Sequence, residues 1–323
     1  MTSTDSVTKT PEAPKSSRSS VRRIGDTVFQ TISTTSGSLI LAILAAVFIF
    51  LLAQGLPAIV TPVDTESHSD TFRANNGNFW GYIGPLVFGT IWSSLLAMLI
   101  AIPVGLSVAL FISHFSDKKF QGAFGFVIDM LAAVPSVVFG LWGILVFAPI
   151  AGPLYQWLGT YLQWFPLFSG TPLASGRNMM TAVIVLAIMI LPIITSLTRE
   201  IFLQTPRLHE EASLALGATR WEMVQQAVFP YARSGIFASS ILALGRALGE
   251  TMAVAMVLSA SGLVTFQLLT SQNSQTIAGQ IANQYPEASG MNSNTLIAGG
   301  LVLFAITLAV NSIGRWIIAK TKK

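Results

Sequence analysis

The sequence predicts an all-α integral membrane protein with six transmembrane helices and both termini in the cytoplasm. Of its 323 residues, 52% are hydrophobic and only 10% are charged. The mean hydropathy is +0.65, and most apolar residues fall into six long runs. A soluble domain carries about 25% charged residues. The chain therefore has more apolar surface than it can cover without lipid.

Each apolar run is long enough to cross the hydrocarbon layer, which is roughly 30 Å thick and takes about 20 helical residues. The predicted spans are 39–60, 82–115, 121–150, 179–197, 234–258 and 294–319. Pro103 and Pro135 lie inside the second and third spans, where we expect kinks.

Three regions follow from this pattern. Residues 1–23 are rich in Ser, Thr, Pro and Lys, which predicts a disordered basic tail. Residues 24–79 are expected to contain an interfacial segment, the first transmembrane helix and an extracytoplasmic loop. Residues 80–323 then hold the other five transmembrane helices and a charged cytoplasmic loop at about 199–232.

The distribution of positive charge predicts the orientation. In the six-span arrangement, fifteen of the 18 Lys and Arg residues lie on the side of the amino terminus, and cytoplasmic loops carry the excess of such residues. This topology explains the basic pI of about 9.5 without a nucleic-acid partner. The chain has no Cys and three scattered His residues, so we expect no metal site.

The charged loop begins with the signals of a short helix. Thr205 can cap this helix, with Pro206 at the first helical position, where the missing N–H costs nothing. Gly217 can end it in a left-handed conformation.

A second short helix is predicted directly after the first. Thr219 and Glu222 fit the T-x-x-E capping box, and Pro230 discourages the helix from continuing past Phe229. The loop is therefore expected to form a helix–Gly–helix elbow outside the membrane.

This elbow is similar to the EAA loop of the permeases of ABC importers. The family pattern is E-A-A, three residues, Gly, nine residues and then I-x-L-P, and it is matched here by Glu211, Ala212, Gly217 and Pro230. Three positions differ from the family pattern, and each still holds a small or apolar residue. They are Ser213 in place of the second Ala, Ala227 in place of Ile and Phe229 in place of Leu. The resemblance implies a type I importer fold and docking of the elbow on an ATPase subunit. The residues it assigns to this coupling are Glu211, Ala212, Gly217, Thr219 and Pro230.

The fifth span contains a pair of opposite charges. Arg246 and Glu250 are four residues apart, which places them on one face of a continuous helix. Gly245, Gly249 and Ala253 form an adjacent stripe that would let another helix approach. A charge at this depth costs at least about 2.5–3.5 kcal/mol, so it usually faces a pathway or a partner. The alternative is a buried ion pair that only fixes the helix register.

The segment G-R-A-L-G-E-T-M-A-V around this pair resembles the fifth-helix signature of phosphate permeases. V-P-S-V-V-F-G-L, which begins at Val134, resembles a second signature of the same family. The resemblance implies a phosphate path lined by Arg246, Glu250, Thr251, Pro135 and Ser136.

The same resemblance implies the partners. They are a second permease subunit, an ATPase subunit dimer, an extracytoplasmic phosphate-binding protein and the lipid bilayer of a bacterial inner membrane. The chain has no G-x-x-x-x-G-K-[ST] motif. We therefore expect it to be no enzyme by itself, with no catalytic residue and no bound cofactor, and ATP and Mg to be held by the ATPase.

Two alternatives stay open. The elbow alone fits a permease for another oxyanion, such as sulfate or molybdate. An ion-coupled secondary transporter fits less well, because such proteins often show inverted repeats and interrupted helices, and the sequence contains no clear internal repeat.

Overall fold

The structure is a computed structural model, and it describes residues 24–60, 78–259, 261 and 263–321. The predicted tail 1–23 lies outside these residues, and so does most of the predicted extracytoplasmic loop after the first span. The chain divides into two compact units, residues 1–49 and residues 50–323. The predicted regions 24–79 and 80–323 stay predictions.

The described residues form helices and no strand. The α-helices are α1 Ile24–Val60, α2 Phe79–Leu110, α3 Lys118–Ala132, α4 Ser136–Trp142, α5 Ala148–Tyr161, α6 Met179–Leu203, α7 Arg207–Ala215, α8 Arg220–Met223, α9 Phe229–Leu248, α10 Met252–Val257, α11 Ile277–Gln284 and α12 Met291–Thr321. Single π-helical turns extend three of them, and they are Phe111–Phe115 after α2, Gly143–Phe147 after α4 and Val224–Val228 after α8.

Six helical segments among the described residues are long and apolar enough to cross a membrane, which confirms the predicted number. They are Gly25–Val60, Phe79–Phe115, Ser136–Tyr161, Met179–Leu203, Arg220–Leu248 and Met291–Lys320. Many of their large apolar side chains are exposed to the surroundings, as lipid contact requires. The cytoplasmic placement of the termini stays a prediction.

The third span was predicted in the wrong place. The chain breaks after α3, and the segment able to cross the membrane begins at Ser136 rather than at residue 121. The break is explained by Pro135, because a proline disfavours the helical conformation in the residue before it. Pro135 has ψ 140° and forms the extended N-cap of α4. The hydropathy of the whole run hides this break, since both sides of it are apolar.

The prediction for Pro230 was also wrong. The chain stays helical from α8 through the π-helical turn into α9, and Pro230 lies in the first turn of α9. Pro230 lacks the N–H that a continuous helix would bond at this position, so the helix needs a local change in its hydrogen-bond register here. The preceding π-helical turn provides the change in hydrogen-bond register that lets the helix continue.

The core of the larger unit is built around α2 and α6. Apolar residues of these helices and of α9 share one buried cluster, which includes Ala101, Ile190 and Ala243. At Gly105 a Cβ atom would lie 2.8 Å from Cγ2 of Ile194, so the helices approach closely. A second cluster joins α6 to α10 through residues such as Val183 and Val257.

A polar segment before α11 is buried against α2. Asn273 and Ser274 have no exposed surface, and the backbone N–H of Ile277 donates to Oγ1 of Thr90 at 2.9 Å. A Cβ atom on Gly89 would lie 2.4 Å from the backbone oxygen of Gln275. Only a glycine leaves room for this backbone on the helix.

We predict that Gly89→Ala destabilises the protein by about 1–3 kcal/mol, because the new methyl group collides with backbone rather than with a movable side chain. Gly84→Ala is the matched control in α2, since a Cβ atom there meets nothing within 4 Å. This control should raise stability by about 0.5–1 kcal/mol. Thermal unfolding in detergent measures both, and equal midpoints would contradict the packing described here.

Candidate functional site

The first helix of the elbow, α7, begins one residue later than predicted. Pro206 is its N-cap, with φ −62° and ψ 124°, and no side chain caps the helix. The hydroxyl group of Thr205 is buried without a hydrogen-bond partner, so the predicted Thr205 cap is wrong. Pro206 occupies the extended position because its ring supplies the required φ without strain.

Gly217 ends α7 as predicted. It has φ +87°, which places it in the left-handed region. Its N–H donates to the oxygen of Leu214 at 3.0 Å, and the N–H of Ala218 donates to the oxygen of Ser213 at 3.3 Å. These two bonds form a Schellman motif, which satisfies carbonyl groups that the helix end leaves free.

The capping box that begins α8 is confirmed. The backbone N–H of Thr219 donates to Oε2 of Glu222 at 2.7 Å, and the N–H of Glu222 donates to Oγ1 of Thr219 at 3.3 Å. The reciprocal bonds fix the direction in which the chain leaves the turn at Gly217.

The elbow presents an apolar surface that nothing in the described residues covers. Leu216 is 90% exposed and Leu208 is 76% exposed. Glu211, Ala212 and Gly217 are exposed as well. Such a surface is typical of a protein–protein contact.

The other side of the elbow is attached to the membrane helices. Nε2 of His114 lies 3.4 Å from Oε1 of Glu210, and the hydroxyl group of Ser213 donates to Oε1 of Gln226 at 3.2 Å. A polar cavity of about 510 Å³ lies beside these contacts, lined among others by Lys118. These contacts link α7 to the end of α2 and to the turn that leads into α9.

The charged pair of the fifth span does not have the predicted geometry. The helix α9 ends at Leu248, and α10 begins only at Met252. Arg246 is exposed near the end of α9, whereas Glu250 is 7% exposed and lies in the break. No ion pair joins them within the part of the chain that the structure describes. The prediction of a single helix face, and of a small-residue stripe along it, is therefore wrong.

Glu250 instead satisfies the backbone of the next helix. Its Oε1 accepts a hydrogen bond from the N–H of Ala253 at 3.1 Å, in the first turn of α10. The hydroxyl group of Thr251 donates to the oxygen of Gly249 at 3.2 Å. These bonds occupy polar groups that the interruption would otherwise leave without partners.

The two signature segments meet through α4 and α10. A Cβ atom on Gly140 would lie 3.0 Å from Cα of Ala253 and 3.1 Å from Sδ of Met256, so α4 lies directly against α10. Pro135 and Ser136 begin α4, and no hydrogen bond joins Ser136 to Glu250 among the described residues. The structure thus brings the two helices together without forming one cluster of the predicted path residues.

Two residues that the sequence analysis missed lie opposite Arg246. Thr307 and Asn311 of α12 line a cavity of about 470 Å³ together with Arg246. Their spacing of four residues inside the last apolar run is the signal that could have found them, since it places two polar side chains on one helix face.

The described ranges hold no group of three His, Cys, Asp or Glu residues that could bind a metal ion.

Residues 101–323 match the model of a protein family described as "Binding-protein-dependent transport system inner membrane component". The chain is similar to the phosphate transport system permease protein PstC 2 of Mycobacterium tuberculosis, with 40% identity over 311 residues and 91% of each chain covered. It is also similar to the phosphate transport system permease protein PstC of Mesorhizobium japonicum, with 35% identity over 317 residues and 95% of each chain covered.

Solved structures share the fold at low sequence identity. A chain of the MetNI methionine ABC transporter in an inward-facing conformation matches with a TM-score of 0.53 and 17% identity, covering 79% of this chain and 100% of that one. A chain of a bacterial ABC transporter that imports alginate matches with a TM-score of 0.54 and 15% identity, covering 89% of this chain and 99% of that one. The fold is therefore that of ABC-importer permeases.

Proposed function

The chain belongs to the family of binding-protein-dependent transport system inner membrane components, and from this premise we propose that it is the permease subunit of an ATP-driven phosphate importer. It is a multi-pass protein of the bacterial inner membrane. It forms the translocation path together with a second permease subunit, and a separate ATPase drives the import.

The observation that carries the choice of a tetrahedral oxyanion is Arg246, and the similarity to phosphate permeases carries the choice of phosphate. Its guanidinium group lies near the end of a membrane-crossing helix, exposed and without an ion-pair partner among the described residues. A planar fork of N–H donors matches two oxygen atoms of a tetrahedral oxyanion. The chain also aligns over 91% of its length with a relative named a phosphate transport system permease protein.

Glu250 has a different role from Arg246 in this proposal. Because its carboxylate accepts from Ala253, it holds the start of α10 rather than neutralising the cation. Arg246 is then free to meet the anion, and Thr251, Pro135 and Ser136 contribute the ends of the two helices beside the path. Water and groups of the second permease subunit compete for the anion and release it from Arg246. Glu250 does not take its place.

The elbow passes the movement of the ATPase on to the membrane helices. Its exposed residues Glu211, Ala212, Gly217 and Thr219 face outward, ready to contact a docked subunit, while Pro230 lies in the first turn of α9, the helix that carries Arg246. We place the elbow and both termini in the cytoplasm, following the distribution of positive charge.

The complete importer has four kinds of subunit. Beside this chain it contains a second permease (PstA-like), an ATPase dimer (PstB-like) that binds ATP and Mg, and an extracytoplasmic phosphate-binding protein (PstS-like). This chain binds no cofactor and catalyses no hydrolysis itself.

Uptake of labelled phosphate tests the proposed function. Cells that lack their own phosphate permeases should take up phosphate when this chain is expressed with its partner subunits. Arg246→Gln should abolish uptake, and Arg246→Lys should lower it about tenfold or more, because Lys keeps the charge but loses the bidentate fork. Lys320→Gln, at the end of α12, is the control and should leave uptake unchanged.

All rates are normalised to the amount of assembled complex. If the wild-type importer takes up sulfate or molybdate and not phosphate, the proposed substrate is wrong and the importer carries that other oxyanion. Full phosphate uptake by Arg246→Gln would show that Arg246 does not contact the anion in the translocation path.

The coupling role of the elbow has its own test. Gly217→Val should raise the free energy of the left-handed conformation at residue 217 by about 1–2 kcal/mol, because a β-branched residue disfavours that conformation. Nothing lies within 4 Å of a Cβ atom there, so the effect is conformational rather than steric. We expect normal membrane insertion with loss of ATPase binding in a pull-down.

The control for this test is Gly122→Val. Gly122 is an exposed residue of α3 with open space around it and no positive φ. Undiminished ATPase binding by Gly217→Val would show that the elbow is not the docking element.

A further inference from the structure

The cavity beside Arg246 has a polar wall contributed by α12. It has a volume of about 470 Å³, and its polar lining residues are Arg246, Thr307 and Asn311. The apolar part of the lining is Ile193, Leu242 and Gly245. A tetrahedral oxyanion with several water molecules is small enough to enter such a space.

Close packing of α9 on α12 brings these groups to one place. A Cβ atom on Gly314 would lie 2.4 Å from Cδ1 of Ile241, so the two helices are in contact there. One turn further along, a Cβ atom on Gly245 would lie 3.9 Å from Oδ1 of Asn311. The amide group of Asn311 therefore faces the same stretch of α9 that carries Arg246.

Arg246 and Asn311 are both exposed, and neither has a hydrogen-bond partner within the described residues. An unpaired guanidinium or amide group in hydrocarbon is strongly unfavourable. Two such groups on facing helices are explained if the cavity holds water and a ligand. Among the described residues that line the cavity, the charged side chain is Arg246, and a cation favours an anionic ligand.

Thr307 adds a second kind of group to this wall. Its hydroxyl group donates to the backbone oxygen of Phe304 at 2.9 Å. In this conformation the proton is directed back into the helix, and the oxygen presents its lone pairs, which accept hydrogen bonds, to the cavity. The site thus combines the guanidinium donors of Arg246 and the amide of Asn311, whose NH₂ group can donate, with an acceptor from Thr307.

This combination favours an anion that carries its own proton. Near neutral pH phosphate retains at least one P–OH group, which can donate to an acceptor, whereas sulfate has only acceptor oxygens. An acceptor facing sulfate would be left unpaired and repelled. A site built to receive a hydroxyl proton rejects a ligand without one strongly.

We propose that Thr307 and Asn311 complete, with Arg246, a binding site for a protonated tetrahedral oxyanion such as hydrogen phosphate. Asn311 donates to an anion oxygen and Thr307 accepts the P–OH proton. The proposal rests on the proposed function and extends it, because it places selection among oxyanions in the permease as well as in the binding protein.

Uptake by variants of the complete importer tests the contacts. Asn311→Ala and Thr307→Val should each lower phosphate uptake per assembled complex about tenfold, since each removes a hydrogen bond to a charged ligand. Asn311→Gln keeps the amide and should retain more uptake than Asn311→Ala. Ser312→Ala is the matched control, because Ser312 is an exposed neighbour on α12 outside the cavity lining.

Alkylation of an introduced thiol tests occupancy without relying on transport or on the binding protein. The chain has no Cys, so Asn311→Cys introduces its single thiol, and mass spectrometry of this chain reports its modification. In the purified complex of the two permease subunits and the ATPase, from which the binding protein is left out, a small water-soluble thiol reagent should modify it. Phosphate should slow this modification severalfold, and sulfate at equal ionic strength should not. Ser312→Cys should be insensitive to both anions.

The outcomes separate the inference from the proposed function. Wild-type phosphate uptake together with normal uptake by Asn311→Ala and Thr307→Val would overturn the site while leaving the importer intact. Equal protection of Asn311→Cys by phosphate and sulfate would overturn the selection for a protonated anion. Absence of phosphate uptake by the wild-type importer would instead contradict the proposed function.

Discussion

A helix that stops inside a membrane must find partners for the backbone groups it leaves unbonded, because hydrocarbon offers none. In this protein the break between α9 and α10 meets that requirement with Glu250, whose carboxylate accepts from the N–H of Ala253. The rest of the site depends on this bond. It lets α9 end just after Arg246, and it leaves α10 seated against Gly140 of α4.

The same arrangement connects the elbow with the site. From Arg220 to Leu248 the chain is helical without interruption, through α8, the π-helical turn and α9. Arg246 lies about 39 Å along this helix from Arg220 at 1.5 Å per residue. Under the proposed function, a displacement of the elbow by the ATPase would reach Arg246 through one stiff element. Contacts such as that between Ser213 and Gln226 join the first elbow helix to it.

Local chemistry explains which predictions from the sequence succeeded. The turn at Gly217 and the capping box of Thr219 and Glu222 depend on residues within a few positions of each other. They can therefore be predicted from the sequence alone. The number of spans can be predicted from hydropathy because each span is a continuous run of apolar residues. The match to the EAA pattern then pointed to the ABC-importer permeases, as the comparisons confirm.

The failures came from effects that hydropathy does not register. Apolar residues continue across the breaks at Pro135 and at Glu250, so each interrupted helix resembles one long span. Pro230 suggested a stop, although a preceding π-helical turn carries the helix through it. The cavity residue Asn311 was missed because its importance depends on contact with α9, which is far away in the sequence.

The interruption beside Arg246 is the central claim, and amide hydrogen exchange of the assembled importer tests it most directly. Exchange requires both an amide without a stable helical bond and access to water. We predict that amides of residues 249–252 exchange faster than those of residues 236–247 in α9, and that Glu250→Ala accelerates exchange at Ala253. Uniform slow exchange from residue 236 to residue 257 would mean a continuous dry helix, and it would contradict the account.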